Sequence, residues 1–141
     1  MGLDQNFYAK IRVDPESGNT EEITLTSAFS DKQFTFGMNH LCALEYEIGY
    51  LRKCFAVHQI IRSRIKVIPC TLVELDEKLI AILKLEVERV LKNEMYAKEE
   101  YDISPSDEWV REGLEETLRI VERAEEYIEL YNAEIYYSAS W

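Results

Sequence analysis

The stretch 39–66 constrains the fold most, because its apolar spacing predicts one long helix through the middle of the chain. Asn39 is a good N-cap, and Gly37 would break a preceding strand. A helix of this length far exceeds the usual dozen or so residues, so we expect it to cross the whole domain. Apolar residues recur at spacings of three and four at Leu41, Leu44, Ile48, Leu51 and Phe55, and then at Ile61 and Ile65.

The same stretch is basic within an acidic chain. It contains five bases and two acids, hence +3, whereas the whole chain has 16 Lys and Arg against 27 Asp and Glu, hence −11. Bases near a helix C-terminus suit the helix dipole, which accounts for Arg62, Arg64 and Lys66. Arg52 and Lys53 lie too far from that end for this account. They are therefore candidates for binding an anion.

Length and composition bound the class of protein. A chain of 141 residues suits a single domain, 1–141, with a true core. The apolar content of 47% excludes a disordered chain, and no apolar run approaches the roughly 18 residues of a membrane helix. With no signal-peptide pattern, we expect a cytoplasmic protein with no membrane partner. The strong negative charge argues against direct binding to nucleic acid.

The cysteines and histidines predict neither disulfides nor metal binding. The three cysteines, Cys42, Cys54 and Cys70, are odd in number and show no CxxC spacing, which indicates reduced, buried thiols. The chain has only two histidines and no cluster of Cys and His. We therefore expect no metal site, and nothing in the sequence implies a cofactor.

Alternating apolar and polar residues predict strands at both ends of the chain. Residues 7–13 alternate as a half-buried strand, turn chemistry follows at 14–19, and Ile23 and Leu25 indicate a second strand in a hairpin. Phe34 and Phe36 predict a short third strand. The last strand is 133–141, and we expect it to pair with the N-terminal strand.

Two further helices are predicted in the second half. One ends near Lys92 and begins either at a capping box from Thr71 to Glu74, or after a short strand at 67–73 with a cap near Glu74. The polar segment 93–103 is predicted to be a loop. Ser104 and Pro105 predict the start of a third helix, 104–131. The order indicates an α+β fold, with a small antiparallel sheet including the N- and C-terminal strands, packed against three helices.

Three motifs in order resemble a known family. The chain opens MGLD at 1–4, has YLRK at 50–53 followed by His58, and closes YYSASW at 136–141. This resembles a family of small, mostly bacteriophage and prophage-borne proteins that open MGLD, carry a YWRK…H helix and close YYSxSW. Leu51 stands where that family usually has Trp. The resemblance implies a phage-type accessory protein that acts in the host cytoplasm, and it implies no particular reaction.

The motif residues also define a candidate ligand site. Two bases and a histidine on one helix could hold a phosphate or carboxylate, and an aromatic residue could stack on a ring. In the competing interpretation the residues are structural: Arg52 forms a salt bridge with Asp4, and His58 is a hydrogen-bonded core residue. The candidate set is Asp4, Arg52, Lys53, His58, Tyr136, Ser138 and Trp141.

Three functions remain open at this stage. The first is an accessory protein that modulates a host process, binding a small anionic, nucleotide-like ligand. The second is an inhibitor that binds a host protein through acidic residues of helix 104–131: Glu112, Glu115, Glu116 and Glu122. A solvated face that keeps the protein soluble is the simpler reading of that helix. The third is a small enzyme using His58 with Asp4 or Ser138, although nothing flanks Ser138 like a nucleophile elbow. Pairing through an open sheet edge would give a homo-oligomer.

Overall fold

The computed structural model describes residues 2–13, 32–36 and 42–141, and these form an α+β fold as the sequence predicts. The predicted strand at Ile23 and Leu25 lies outside the described residues. In chain order the described elements are β1 (Asp4–Val13), β2 (Lys32–Phe36), β3 (Cys42–Arg52), α1 (Phe55–Arg62), β4 (Val73–Leu75), α2 (Glu77–Lys92), α3 (Glu94–Tyr101), α4 (Glu108–Tyr131) and β5 (Glu134–Ser140).

The five strands form one antiparallel sheet in the order β2-β3-β1-β5-β4. The predicted pairing of the two end strands is confirmed, with Asp4 opposite Ser140 and Tyr8 opposite Tyr136. Side chains alternate between buried and half-buried along both strands. The buried positions face the helices, and the half-buried ones form an open face on the other side of the sheet.

The prediction of one helix over 39–66 is wrong, because residues 42–52 of this stretch form the strand β3 and the short helix α1 covers 55–62. A β-bulge explains the misleading pattern. Phe7 pairs with Gly49 and Tyr8 with Glu47, which leaves Ile48 as an extra residue in β3. The buried positions therefore run 44, 46, 48, 49 and 51, and the large apolar residues among them, at 44, 48 and 51, imitate the three- and four-residue spacing of a helix.

Two glycines seat α4 against the rest of the fold. A Cβ on Gly49 would lie 2.3 Å from Cγ1 of Ile120, and a Cβ on Gly113 would lie 2.3 Å from Sγ of Cys54. Only glycine leaves room for such close approach. Arg123 of α4 also donates a hydrogen bond to the carbonyl oxygen of Ile48, so the bulge and the helix stabilise each other.

The starts of the other helices differ from prediction mainly because another nearby residue makes the capping hydrogen bond. Asp76, not Thr71, caps α2, and the preceding residues form β4, close to the alternative of a short strand. The predicted loop 93–103 contains α3, which Asn93 caps by accepting a hydrogen bond from the Tyr96 amide. The helix predicted from Ser104 begins at Glu108, because Asp107 makes the capping hydrogen bond.

The core lies between the sheet and the helices. Its largest fully buried side chains come from both layers, and they include Phe7, Tyr46, Ile60, Ile80, Leu114, Ile120 and Tyr137. Within the described residues, no helix combines the length and apolar character that crossing a bilayer requires.

Candidate functional site

A groove of about 820 Å³ opens on the helix side of the molecule. It is formed by one side of α1, the turn after it and the end of α3. Its size is in the range of pockets that bind small molecules. Its lining residues are Phe55, His58, Gln59, Arg62, Ser63, Arg64, Tyr96, Glu100 and Tyr101.

His58 lines this groove although only 7% of the residue is exposed. Its Nδ1 lies 2.7 Å from the Tyr137 hydroxyl, and that hydroxyl accepts a hydrogen bond of 2.9 Å from Gln5 Nε2. A phenol oxygen has one hydrogen and two acceptor lone pairs, so the Tyr137 hydroxyl donates to Nδ1 or accepts from an Nδ1–H according to the tautomer of His58.

Nε2 of His58 is a buried ring nitrogen with no hydrogen-bond partner among the described residues. A buried polar group left without a partner is costly, so such groups are rare and often functional. Within the same ranges Gln5 Oε1 and Tyr46 Oη also lack partners, but neither residue lines the groove. Of the three residues, His58 is thus the one that belongs to the groove wall.

The protonation states of the network follow from burial. Burial, with a smaller contribution from the Arg62 charge, lowers the pKa of His58 below its usual value. Burial raises the pKa of Tyr137, so its hydroxyl keeps its proton. At neutral pH the site therefore presents an uncharged imidazole.

Aromatic and cationic groups flank His58. The Trp141 ring centroid lies 4.7 Å from that of His58, and the Arg62 guanidinium lies 5.6 Å from the Trp141 centroid. Phe55, at the start of α1, is 60% exposed and also lines the groove. These groups bring a positive charge and flat apolar surfaces close to His58.

The opposite wall of the groove is held by Glu86 of α2. Its carboxylate accepts hydrogen bonds from the hydroxyls of Tyr96 and Tyr101, and it lies 3.5 Å from Arg64. Arg89 lies over the Tyr96 ring at 3.8 Å. Burial opposes ionisation of Glu86, but the two tyrosine hydrogen bonds and the arginines outweigh it, so its pKa is lowered. The two tyrosine rings are thereby fixed in the wall.

The structure divides the residues predicted for the ligand site. It brings together His58 and Trp141 on the helix side. Asp4 lies on the open face of the sheet and accepts a hydrogen bond of 2.6 Å from Tyr50, not from His58. Arg52 is the Cα partner of Asp4 at the end of β3 and is exposed.

Lys53, Tyr136 and Ser138 are also separated from His58. Lys53 is exposed in the turn after β3, with a positive φ of 56°, and its amide donates to the Leu3 carbonyl at 2.6 Å. Tyr136 and Ser138 lie on β5 at half-buried positions of the open face. There they line a second, smaller groove of about 360 Å³ with Tyr8, Lys10, Glu45 and Leu72.

The acidic residues predicted for protein binding lie along α4. Glu112, Glu115 and Glu122 are exposed, as an interaction surface requires. Glu116 is engaged within its own helix, 2.7 Å from Arg119 and 3.6 Å from Arg123. Across the described ranges, no group of three Cys, His, Asp or Glu side chains is arranged to bind a metal ion.

Three residues in or behind the groove are absent from the sequence prediction. Arg62 lies one helical turn after His58. Its charge was explained by its position near a helix C-terminus, so it was not included among the site residues. Gln5 and Tyr137 occupy inward positions of β1 and β5, where polar groups are unusual. The sequence signal was a polar residue at an inward position of a strand. Gln5 is such a residue, because the inward positions on either side of it are Leu3 and Phe7.

Comparisons of the chain with protein-family models, with curated proteins and with solved structures give no match in any of the three.

Proposed function

We propose that the protein binds a small anionic, nucleotide-like ligand in the groove beside α1. The observation that carries the proposal is Nε2 of His58, which is buried, unpartnered among the described residues and part of a residue that lines the groove. Tyr137, itself held by Gln5, fixes the imidazole through Nδ1, as a binding site needs. In the tautomer that carries its proton on Nε2, this nitrogen would donate to the ligand.

The surroundings of His58 favour an anion attached to a flat ring. Arg62 supplies a delocalised cation that suits phosphate or carboxylate oxygens, and the imidazole supplies a neutral donor. Exposed aromatic surface is offered by Phe55, which lines the groove, and by Trp141, which packs against His58 and Arg62. An aromatic ring would stack on that surface while the anionic group reaches Arg62 and His58.

The biological setting follows from the motifs. The resemblance to small phage and prophage proteins supports a phage-type accessory protein that acts in the host cytoplasm and modulates a host process. Two of its motif residues pack against each other, His58 in the groove wall and Trp141 beside it. Binding of a host metabolite there would be the means of that modulation.

The proposal is tested by titrating the protein with adenosine 5′-monophosphate and recording amide chemical shifts by NMR. We expect shifts centred on α1 and on the Tyr96–Tyr101 wall. Arg62→Ala should weaken binding by about tenfold or more, since it removes a charge-assisted contact. His58→Phe should weaken it as well.

Arg52→Ala is the matched control, because it removes an exposed arginine on the other side of the molecule. It should bind like the unmodified protein. Equal loss in Arg52→Ala and Arg62→Ala would show that binding depends on net charge and not on the groove. No shift with the nucleotide would contradict the proposal directly.

A further inference from the structure

The groove contains few uncompensated positive charges. Three cations lie at or next to its walls: Arg62, Arg64 and Arg89. Two carboxylates lie there as well, those of Glu86 and Glu100. The local formal charge is therefore +1 while His58 is neutral. Arg64 is already 3.5 Å from Glu86, so Arg62 is the cation that faces a ligand with least competition.

Two further features oppose a highly charged ligand. Glu100 lines the groove and is exposed, so its carboxylate would repel additional phosphate groups. The groove is also lined by Gln59, Arg62 and Ser63, at the C-terminal end of α1. This end carries the partial negative charge of the helix dipole.

We infer that the groove takes a nucleotide-like ligand with one phosphate or carboxylate group and discriminates against the same molecule with a triphosphate chain. The inference rests on the proposed function and deepens it, because it names the charge class of the ligand. Arg62 and His58 together satisfy one anionic group, and the charges of the other two cations, Arg64 and Arg89, are offset by Glu86 and Glu100.

Size does not account for this selectivity. At about 820 Å³ the groove has room for a nucleoside with more than one phosphate. Discrimination therefore comes from charge, and it predicts a specific response to mutation. Removing the Glu100 charge should favour a longer phosphate chain more than a single phosphate.

The experiment compares adenosine, adenosine 5′-monophosphate and adenosine 5′-triphosphate by isothermal titration calorimetry in magnesium-free buffer. We expect the monophosphate to bind at least about tenfold more tightly than the triphosphate. It should also exceed adenosine, which lacks the anionic group. In Glu100→Gln the triphosphate should gain affinity by several-fold more than the monophosphate, while Glu99→Gln, an exposed neighbour on α3, should leave the ratio unchanged.

The outcomes separate the two proposals. If none of the three compounds binds, the proposed function fails. If the triphosphate binds as tightly as the monophosphate, or more tightly, the site exists but the charge-class inference is overturned. An unchanged ratio in Glu100→Gln, with both nucleotides binding, would remove Glu100 as the cause of selectivity and would overturn the inference in its present form.

Discussion

The Tyr137 hydroxyl lies 2.7 Å from Nδ1 of His58, across 79 residues of sequence. Gln5 Nε2 completes the chain by donating to the same hydroxyl at 2.9 Å. The three residues come from β5, α1 and β1, so one buried polar network ties the helix to the two strands beneath it.

Tyr137→Phe should destabilise the protein by about 1–3 kcal/mol, because it leaves His58 Nδ1 and Gln5 Nε2 buried without a partner. Urea unfolding measures the change. Tyr46→Phe is the matched control, since Tyr46 is fully buried and its hydroxyl has no hydrogen-bond partner among the described residues. It should be neutral or slightly stabilising, and equal losses in both variants would show that the network adds no stability.

Stability should fall as the pH drops through the range in which His58 titrates. Burial and the Arg62 charge lower the pKa of folded His58, whereas in the unfolded chain it is about 6.5. Below about pH 6.5 the unfolded state therefore binds a proton that the folded state does not, and unfolding becomes easier. The contribution is fully present above that pH and is lost as the pH falls to the folded-state pKa.

Urea unfolding at pH 7.0 and 5.5 tests this prediction for the unmodified protein and for His58→Gln. The unmodified protein should lose more stability between the two pH values than the variant does. The carboxylates titrate in both proteins and cancel in the comparison. The same loss in both would show that His58 contributes nothing to the pH dependence.

Gly49→Ala should destabilise the protein by about 1–3 kcal/mol, because the new methyl group would lie 2.3 Å from Ile120. In the Ile120→Ala background the added methyl has room, so the same change should cost much less. A double-mutant cycle by thermal or urea unfolding measures the coupling, which should exceed about 0.5 kcal/mol. Additive effects would mean that α4 does not approach β3 as closely as the structure has it.

Glu86→Gln should destabilise the protein by about 1–3 kcal/mol, because it weakens two tyrosine hydrogen bonds and removes the charge beside Arg64. Glu99→Gln, an exposed change on α3, is the control and should be close to neutral. The pKa of Glu86 is lowered in the fold, so its contribution is present at neutral pH and is lost in acid. Identical pH profiles for Glu86→Gln and the unmodified protein would contradict this assignment.

The end strands and α4 were predictable from sequence because their patterns are local and regular. Residues 7–13 and 133–141 alternate without interruption, and the inward residues of α4 keep helical spacing up to Tyr131. The prediction for the middle of the chain is wrong because a bulge at Ile48 shifts the alternation by one residue. The aromatic and β-branched residues around Gly49 indicate a strand locally. The helical spacing of apolar residues over the whole stretch indicates a helix, and the prediction followed that spacing.

The candidate site was only partly predictable, because it depends on which face of the sheet each residue occupies. His58 and Trp141 meet on the helix side, whereas Asp4, Tyr136 and Ser138 lie on the other face. Because 50–53 is predicted as helix, the sequence groups Arg52 and Lys53 with His58 in one candidate site. The wall built by Glu86, Tyr96 and Tyr101 needed α3, which has little apolar periodicity to reveal it.

The strand order has a consequence for how the molecule assembles. β5 lies between β1 and β4, so in the described sheet β4 joins the other strands only through β5. β1 and β5 are separated by more than 120 residues, and closing such a large loop is slow. The helices have short-range contacts and should form earlier, as should the β1–β3 pair. During synthesis on the ribosome, the Tyr137–His58 network therefore closes only after β5 has emerged from the exit tunnel.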